Sequence, residues 1–157
     1  MPNPNFLFDP DIYDRVGGQA VLTQLIDPNA SGMPDVYILR KTQEDACNDV
    51  IAAAGVQADL NGFTISEFRE KFPHLVTLAS HICIYYCWLY GSSGQACPER
   101  IRELKTEADS KLEMLSERRR KHGAVDFSPN PAQRVTQVDN NPKHTRMTLE
   151  GFQRGFT

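Results

Sequence analysis

Apolar residues recur at intervals of three and four along much of the first 123 residues, which is the spacing of amphipathic helices. Asp9 precedes Pro10, and this pair predicts the capped start of a short helix. A second short helix is predicted over residues 19–26. The loop that follows, residues 27–34, is rich in turn-forming residues, and Asp35 is placed to cap the next helix.

The helix after Asp35 is predicted to be long, with its apolar residues on the buried face. These residues are Val36, Leu39, Ala46, Val50 and either Ala53 or Ala54. Gly55 is expected near its end, and the Asn61-Gly62 pair indicates a turn. A short helix over residues 66–72 follows.

The most apolar stretch of the chain covers residues 75–90 and predicts a helix that begins near Pro73. Because this helix is apolar nearly all round, we expect it at the centre of a bundle or at a subunit contact. It is shorter than the ~20 residues that span a bilayer. It also contains Thr77, Ser80 and His81, so a buried helix of a soluble protein is expected, and a membrane segment is the alternative.

Pro98 opens the last predicted helix, and Gly123 is expected to end it. The apolar stripe of this helix consists of Ile101, Leu104, Ala108, Leu112 and Leu115. Together the segments predict an all-α protein, a small helical bundle over residues 9–123. Residues 1–8 form a leader that has neither the positive charge nor the apolar run of a secretory signal.

The chain changes character after Gly123, because residues 124–157 contain several prolines and many polar residues and carry no helical stripe. They predict a long extended C-terminal tail, and a tail of this length is typically a binding element or disordered. Four apolar residues near its end are the candidate partner-binding anchors: Met147, Leu149, Phe152 and Phe156.

Charge is distributed unevenly along the 157 residues, although the formal net charge is only -3. Residues 1–96 carry five basic and eleven acidic side chains, whereas residues 97–157 carry twelve basic and nine acidic ones. This distribution excludes a uniformly basic nucleic-acid-binding protein. It favours a molecule whose two ends differ and can contact different partners.

The sequence carries no phosphate-binding loop, no Gly-x-Ser-x-Gly nucleophile elbow and no His-Glu-x-x-His zinc motif. Cys83 and Cys87 share one face of the apolar helix, where burial is expected. His74 and His81 lie two turns apart, but zinc sites usually draw such ligands in tight pairs from loops. No catalytic residue, metal or cofactor is therefore expected. The alternative is a thiol- or metal-dependent enzyme that uses Cys83, Cys87 and His81.

Two clusters of side chains are candidates for contacts with partners. The first is a basic run at the end of the last helix: Arg118, Arg119, Arg120 and Lys121. It can stabilise the helix end through the helix dipole, or it can contact phosphates or an acidic protein surface. The second is an aromatic cluster: Tyr85, Tyr86, Trp88 and Tyr90. It can fill the core or form a subunit interface, because tyrosine and tryptophan are common in both places.

Four motifs follow one another in a recognisable order. The first is Tyr13-Asp14-Arg15-Val16-Gly17-Gly18, followed by Leu22-Thr23-Gln24-Leu25-Ile26-Asp27. The second and third are Pro73-His74-Leu75 leading to Leu89-Tyr90-Gly91, and Pro98-Glu99-Arg100-Ile101-Arg102. The fourth is Arg146-Met147-Thr148-Leu149-Glu150-Gly151-Phe152. Their order and spacing resemble the head–tail connector family of tailed bacteriophages, in its Mu-like branch.

This resemblance implies an all-α adaptor, also called a head-completion protein, that has no enzymatic activity. Members form a ring beneath the portal protein, usually twelvefold, which extends the DNA channel and docks the next neck protein, a stopper or tail terminator. Viral DNA then passes through the lumen without sequence-specific binding, and the tail reaches a neighbouring subunit or the portal. The protein would lie in the virion neck, and in the host cytoplasm before assembly. The alternative is a helical DNA-binding or regulatory module that uses residues 118–121.

Overall fold

The computed structural model describes residues 4–56, 59–92 and 95–123, and over these ranges it contains six α-helices and no strand. The helices are α1 (Asp9–Val16), α2 (Gln19–Ile26), α3 (Val36–Ala54), α4 (Ile65–Lys71), α5 (Pro73–Gly91) and α6 (Glu99–His122). A single turn of 3-10 helix covers Leu60–Gly62. The predicted all-α bundle is confirmed. The predicted tail, with Met147, Leu149, Phe152 and Phe156, lies outside the described residues.

Local sequence determines both ends of α3 in the predicted way. The Asp35 carboxylate accepts hydrogen bonds from the backbone N–H groups of Tyr37 and Ile38, at 2.9 and 3.1 Å. These bonds satisfy two donors of the first turn that have no partner within the helix. Gly55 ends the helix in the left-handed conformation, with φ 75°, which glycine adopts without steric cost.

The start of α1 differs from the prediction, because Asp9 lies inside the helix and does not cap it. Phe8 occupies the capping position, and its backbone N–H donates to the Asp11 carboxylate at 2.7 Å. A cap can therefore be completed by an acidic residue of the first turn that reaches back. Pro10 stands in the first turn, where the missing N–H costs nothing.

Helix α5 is the centre of the bundle, because it contacts each of the other five helices. Ten of its residues are buried, and full burial of each large aliphatic side chain is worth about 1.5–3 kcal/mol. Helices α3 and α5 run antiparallel, since hydrogen bonds join Tyr86 to Asp49 and Tyr90 to Asp45. The central position expected from the apolar character of α5 is therefore confirmed.

The C-terminal end of α5 crosses α2 at very short range. A Cβ atom built on Gly91 would lie 1.8 Å from the backbone oxygen of Leu25 and 3.0 Å from the Cα atom of Ile26. No side chain fits at the first distance, so the crossing requires glycine at this position. Gly91 thereby holds α2 against the last turn of α5.

The segment before α1 packs into the bundle and is not a separate leader over the part that the structure describes. Phe6 and Leu7 are fully buried. The Arg69 guanidinium on α4 donates to the Phe6 carbonyl at 2.7 Å and forms two bonds with the Asp11 carboxylate, at 2.6 and 3.0 Å. Burial alone would raise the pKa of Asp11, but hydrogen bonds from Arg69 and Phe8 hold it below its usual value. Phe6 and Leu7 therefore pack with the bundle, while the division between residues 1–8 and 9–123 stays a prediction.

Candidate functional site

Three of the four cysteines are buried on α3 and α5. The Thr42 hydroxyl lies 3.4 Å from the Cys87 sulfur and accepts a hydrogen bond from the Cys83 thiol at 3.6 Å. Hydrogen bonding to Cys87, together with burial, raises the pKa of Cys83, and burial raises the pKa of Cys47 to about 12. A reactive cysteine needs an accessible thiolate. The three thiols are therefore packed inside the bundle, Cys83 and Cys87 beside Thr42 and Cys47 beside the segment before α1.

The two histidines of α5 have different surroundings. His81 is buried, and its Nδ1 atom has no hydrogen-bond partner among the described residues. Burial and the nearby Arg15 guanidinium lower the pKa of His81. His74 is exposed at the start of the helix. Within the described ranges, no group of three or more His, Cys, Asp or Glu side chains is arranged to hold a metal ion.

The aromatic cluster forms a row of ring contacts across α5. Ring centroids are 5.5 Å apart for Trp88 and Tyr85, 6.1 Å for Tyr85 and Tyr86, and 6.0 Å for Tyr86 and Tyr90. The Tyr86 hydroxyl donates to Asp49 at 2.5 Å, and burial and this carboxylate raise the pKa of Tyr86. None of the four aromatic residues is fully buried, and Tyr90 is 50% exposed. The cluster thus extends from partly buried side chains to the exposed Tyr90 at the surface.

Apolar side chains are left uncovered where α3 begins and α5 ends, two points that the antiparallel packing places at the same end of the bundle. We call this set the end patch, and its residues are Met33, Val36, Tyr37, Leu89 and Tyr90. Their exposed fractions run from 45% for Leu89 to 78% for Tyr37. Val36, which was predicted to be buried, is 65% exposed, because α3 begins beyond the end of its partner helix.

The basic run does not act as one surface. Arg119 donates to the carbonyl oxygen of Ala52 at 2.5 Å, in the last turn of α3, where a cation is favoured by the helix dipole. Lys121 pairs with Glu117 at 3.8 Å. Arg118 lies beside a groove, and Arg120 is exposed. Of the three arginines predicted to bind a partner, one is engaged within the bundle.

A groove of about 580 Å³ lies between the first turns of α5 and the last turns of α6, and we call it the α5–α6 groove. Leu78, Met114 and Leu115 form its apolar surface, and His74, Lys111 and Arg118 lie around it. Leu78 is buried, whereas Met114 is 60% exposed. The groove is therefore a second apolar surface that the bundle leaves open.

Comparison of the chain with family models, with curated proteins and with solved structures finds no match. The class that the described residues define is an all-α bundle with two uncovered apolar surfaces, the end patch and the α5–α6 groove. None of the described helices is both long enough and apolar enough to cross a membrane.

Sequence reasoning named Tyr90 of the end patch and Arg118 of the α5–α6 groove as candidate contact residues, but it missed the other residues of both surfaces. Met33 and Tyr37 lie in and after a turn-rich loop, and large apolar residues in such a place are a signal of an exposed patch. The groove gives no comparable signal. Leu78 and Leu115 lie 37 positions apart, and only the packing of α5 against α6 brings them together.

Proposed function

We propose that the protein is a structural head–tail adaptor that forms a ring, usually twelvefold, beneath the portal of a tailed bacteriophage. The ring extends the DNA channel and presents a docking surface to a stopper or tail-terminator protein. The chain catalyses no reaction in this role and uses no cofactor. Viral DNA passes through the lumen without sequence-specific contacts, and the protein is incorporated into the virion neck from the host cytoplasm.

The end patch is the observation that carries this proposal. Five apolar residues, at 45–78% exposure, lie at one end of the bundle. An exposed apolar patch on a small domain marks a surface that another chain covers. Tyrosine is favoured at such surfaces, and both Tyr37 and Tyr90 belong to the patch. A repeating contact between copies, as in a ring, would cover such a surface on every subunit.

Many kinds of protein assemble into rings, and the order of the sequence motifs favours a phage adaptor among them. The buried thiols support it indirectly, because the residues named for a thiol enzyme are packed inside the core. The tail anchors Met147, Leu149, Phe152 and Phe156 are assigned to contact with the portal or a neighbouring subunit. This assignment rests on sequence alone.

Electron microscopy of the full chain mixed with the portal protein of the same virus tests the proposal. We expect annular density coaxial with the portal, and sedimentation as a large oligomer. Tyr37→Glu should abolish ring formation, whereas Ser116→Glu, an equal change of charge at an exposed position on α6, should leave it intact. A chain that stays monomeric and never associates with the portal would overturn the proposal.

The tail and the DNA-binding alternative have separate tests. Truncation after Gly123 should leave the helical content of the bundle unchanged and abolish attachment to portal-containing heads. Phe152→Ala should weaken attachment more than Glu113→Ala does. A gel-shift assay with duplex DNA at two salt concentrations checks the alternative, because binding through residues 118–121 would fall steeply with salt. Tight, salt-sensitive binding without ring formation would favour the regulatory module.

A further inference from the structure

The α5–α6 groove has an apolar floor that nothing in the described part of the chain covers. Leu78 forms the inner wall, and Met114 and Leu115 form the wall on α6. Met114 keeps 60% of its surface exposed beside this cavity of about 580 Å³. Covering this surface would remove apolar area from water, worth about 25 cal/mol per Å².

Two cations of α6 lie beside the apolar floor. Lys111 and Arg118 both line the groove, and none of the described residues that line it is acidic. Lys111 is paired with Glu107 on its own helix, but Arg118 forms no ion pair with any described residue.

The spacing of these groups fits a peptide better than a point-like anion. Lys111 and Arg118 are seven residues apart on α6, which is about 10.5 Å along the helix axis. A groove between two helices accommodates a third helix that lays its apolar side chains on the floor. On such a helix, carboxylates two turns apart would face the two cations. One Lys and one Arg above an apolar floor make a poor track for a nucleic-acid backbone, which needs repeated cationic contacts.

We propose that the α5–α6 groove binds an acidic, amphipathic peptide segment of a partner protein. Apolar side chains of the segment pack on Leu78, Met114 and Leu115, and its carboxylates pair with Lys111 and Arg118. The groove is separate from the end patch and does not depend on ring formation. The partner is thus defined by its chemistry, which combines an apolar face with neighbouring Asp or Glu residues.

Selection from a display library of random peptides of about 16 residues, with the full-length protein as bait, tests this proposal. We expect the enriched peptides to combine apolar residues at helical spacing with carboxylates. A labelled enriched peptide should then bind the wild-type protein in a fluorescence anisotropy titration. Arg118→Glu should weaken that binding by about tenfold or more, because it places like charges together. Met114→Lys should also weaken it, through loss of the apolar contact.

Arg120→Glu is the matched control, because it makes the same change of charge on the same helix at a residue that does not line the groove. It should leave the affinity within about twofold of the wild type. Circular dichroism of all three variants checks that α6 is retained. The proposal is overturned if no peptide is enriched, if the enriched peptides lack carboxylates, or if they bind the Arg118 and Arg120 variants equally. Binding of dodecanoate without any peptide binding would also overturn it, in favour of a small amphiphile.

Discussion

Helices α3 and α6 both pack against the central helix α5, yet they are held in different ways. Helix α3 buries nine of its 19 residues, whereas α6 buries only Ile101 and Ala108 of its 24. Helix α6 carries three ion pairs between residues four apart. Exposed pairs of this kind contribute little to the free energy of unfolding. The contrast indicates that the α3–α5 interface carries most of the stability of the bundle, while α6 leaves most of its surface exposed.

The rate at which the thiols react should show the largest difference between the α3–α5 region and the start of α6. Cys97 is partly exposed just before α6, whereas Cys47, Cys83 and Cys87 are buried on α3 and α5. With Ellman's reagent under native conditions, we expect one rapid reaction and three that are slower by a factor of about 1,000 or more, because they require opening of the core. Cys97→Ser should remove the rapid phase alone. A second rapid thiol would show that the α3–α5 interface is not sealed.

The same Leu→Ala substitution should lower the free energy of unfolding more on α3 than on α6. Leu39 of α3 is 3% exposed, and Leu112 of α6 is only half-buried. We expect Leu39→Ala to lower the free energy of unfolding by about 3 kcal/mol, and Leu112→Ala by about 1 kcal/mol or less. Urea denaturation followed by circular dichroism measures both values. Equal losses would contradict the assignment of stability to α3.

The folded bundle should lose stability in acid because of His81. Burial and Arg15 lower the pKa of His81 in the folded state below 6.5, although Glu107 of α6 acts in the opposite direction. The unfolded chain therefore takes up the proton first. The stabilisation is complete above the unfolded value and is lost as the pH falls from about 6.5 towards the folded pKa.

Denaturation curves recorded between about pH 7 and pH 5 measure this effect. His81→Gln should flatten the pH dependence, while His74→Gln, a change at the exposed histidine of the same helix, should preserve it. If both variants keep the same slope, another group is responsible for it.

The link between Arg119 and the end of α3 should have the smallest effect. Removing a cation from the carbonyl end of a helix costs less than about 1 kcal/mol at an exposed site. We expect Arg119→Ala to lower the melting temperature slightly and Arg120→Ala to leave it unchanged, as measured by calorimetry. If Arg120→Ala lowered the melting temperature more than Arg119→Ala does, the residues of the basic run would act together.

The sequence was sufficient to predict the helices, the Asp35 cap, the end of α3 at Gly55 and the central place of α5, because these depend on spacing and local chemistry. It was not sufficient for Val36, since periodicity identifies an apolar position but not where the neighbouring helix ends. The burial of Phe6 was also missed, because its ring packs against Phe68 of the distant helix α4. The same limit applies to the α5–α6 groove, whose walls come from separate helices.

The anchoring of the first residues also has a consequence for synthesis on the ribosome. Phe6 and Arg69 are separated by 63 positions, so Phe6 emerges long before the group that secures it. At roughly 5–20 residues per second, this apolar segment waits several seconds without its partner. During that interval it is an accessible target for chaperones that recognise short apolar stretches of nascent chain.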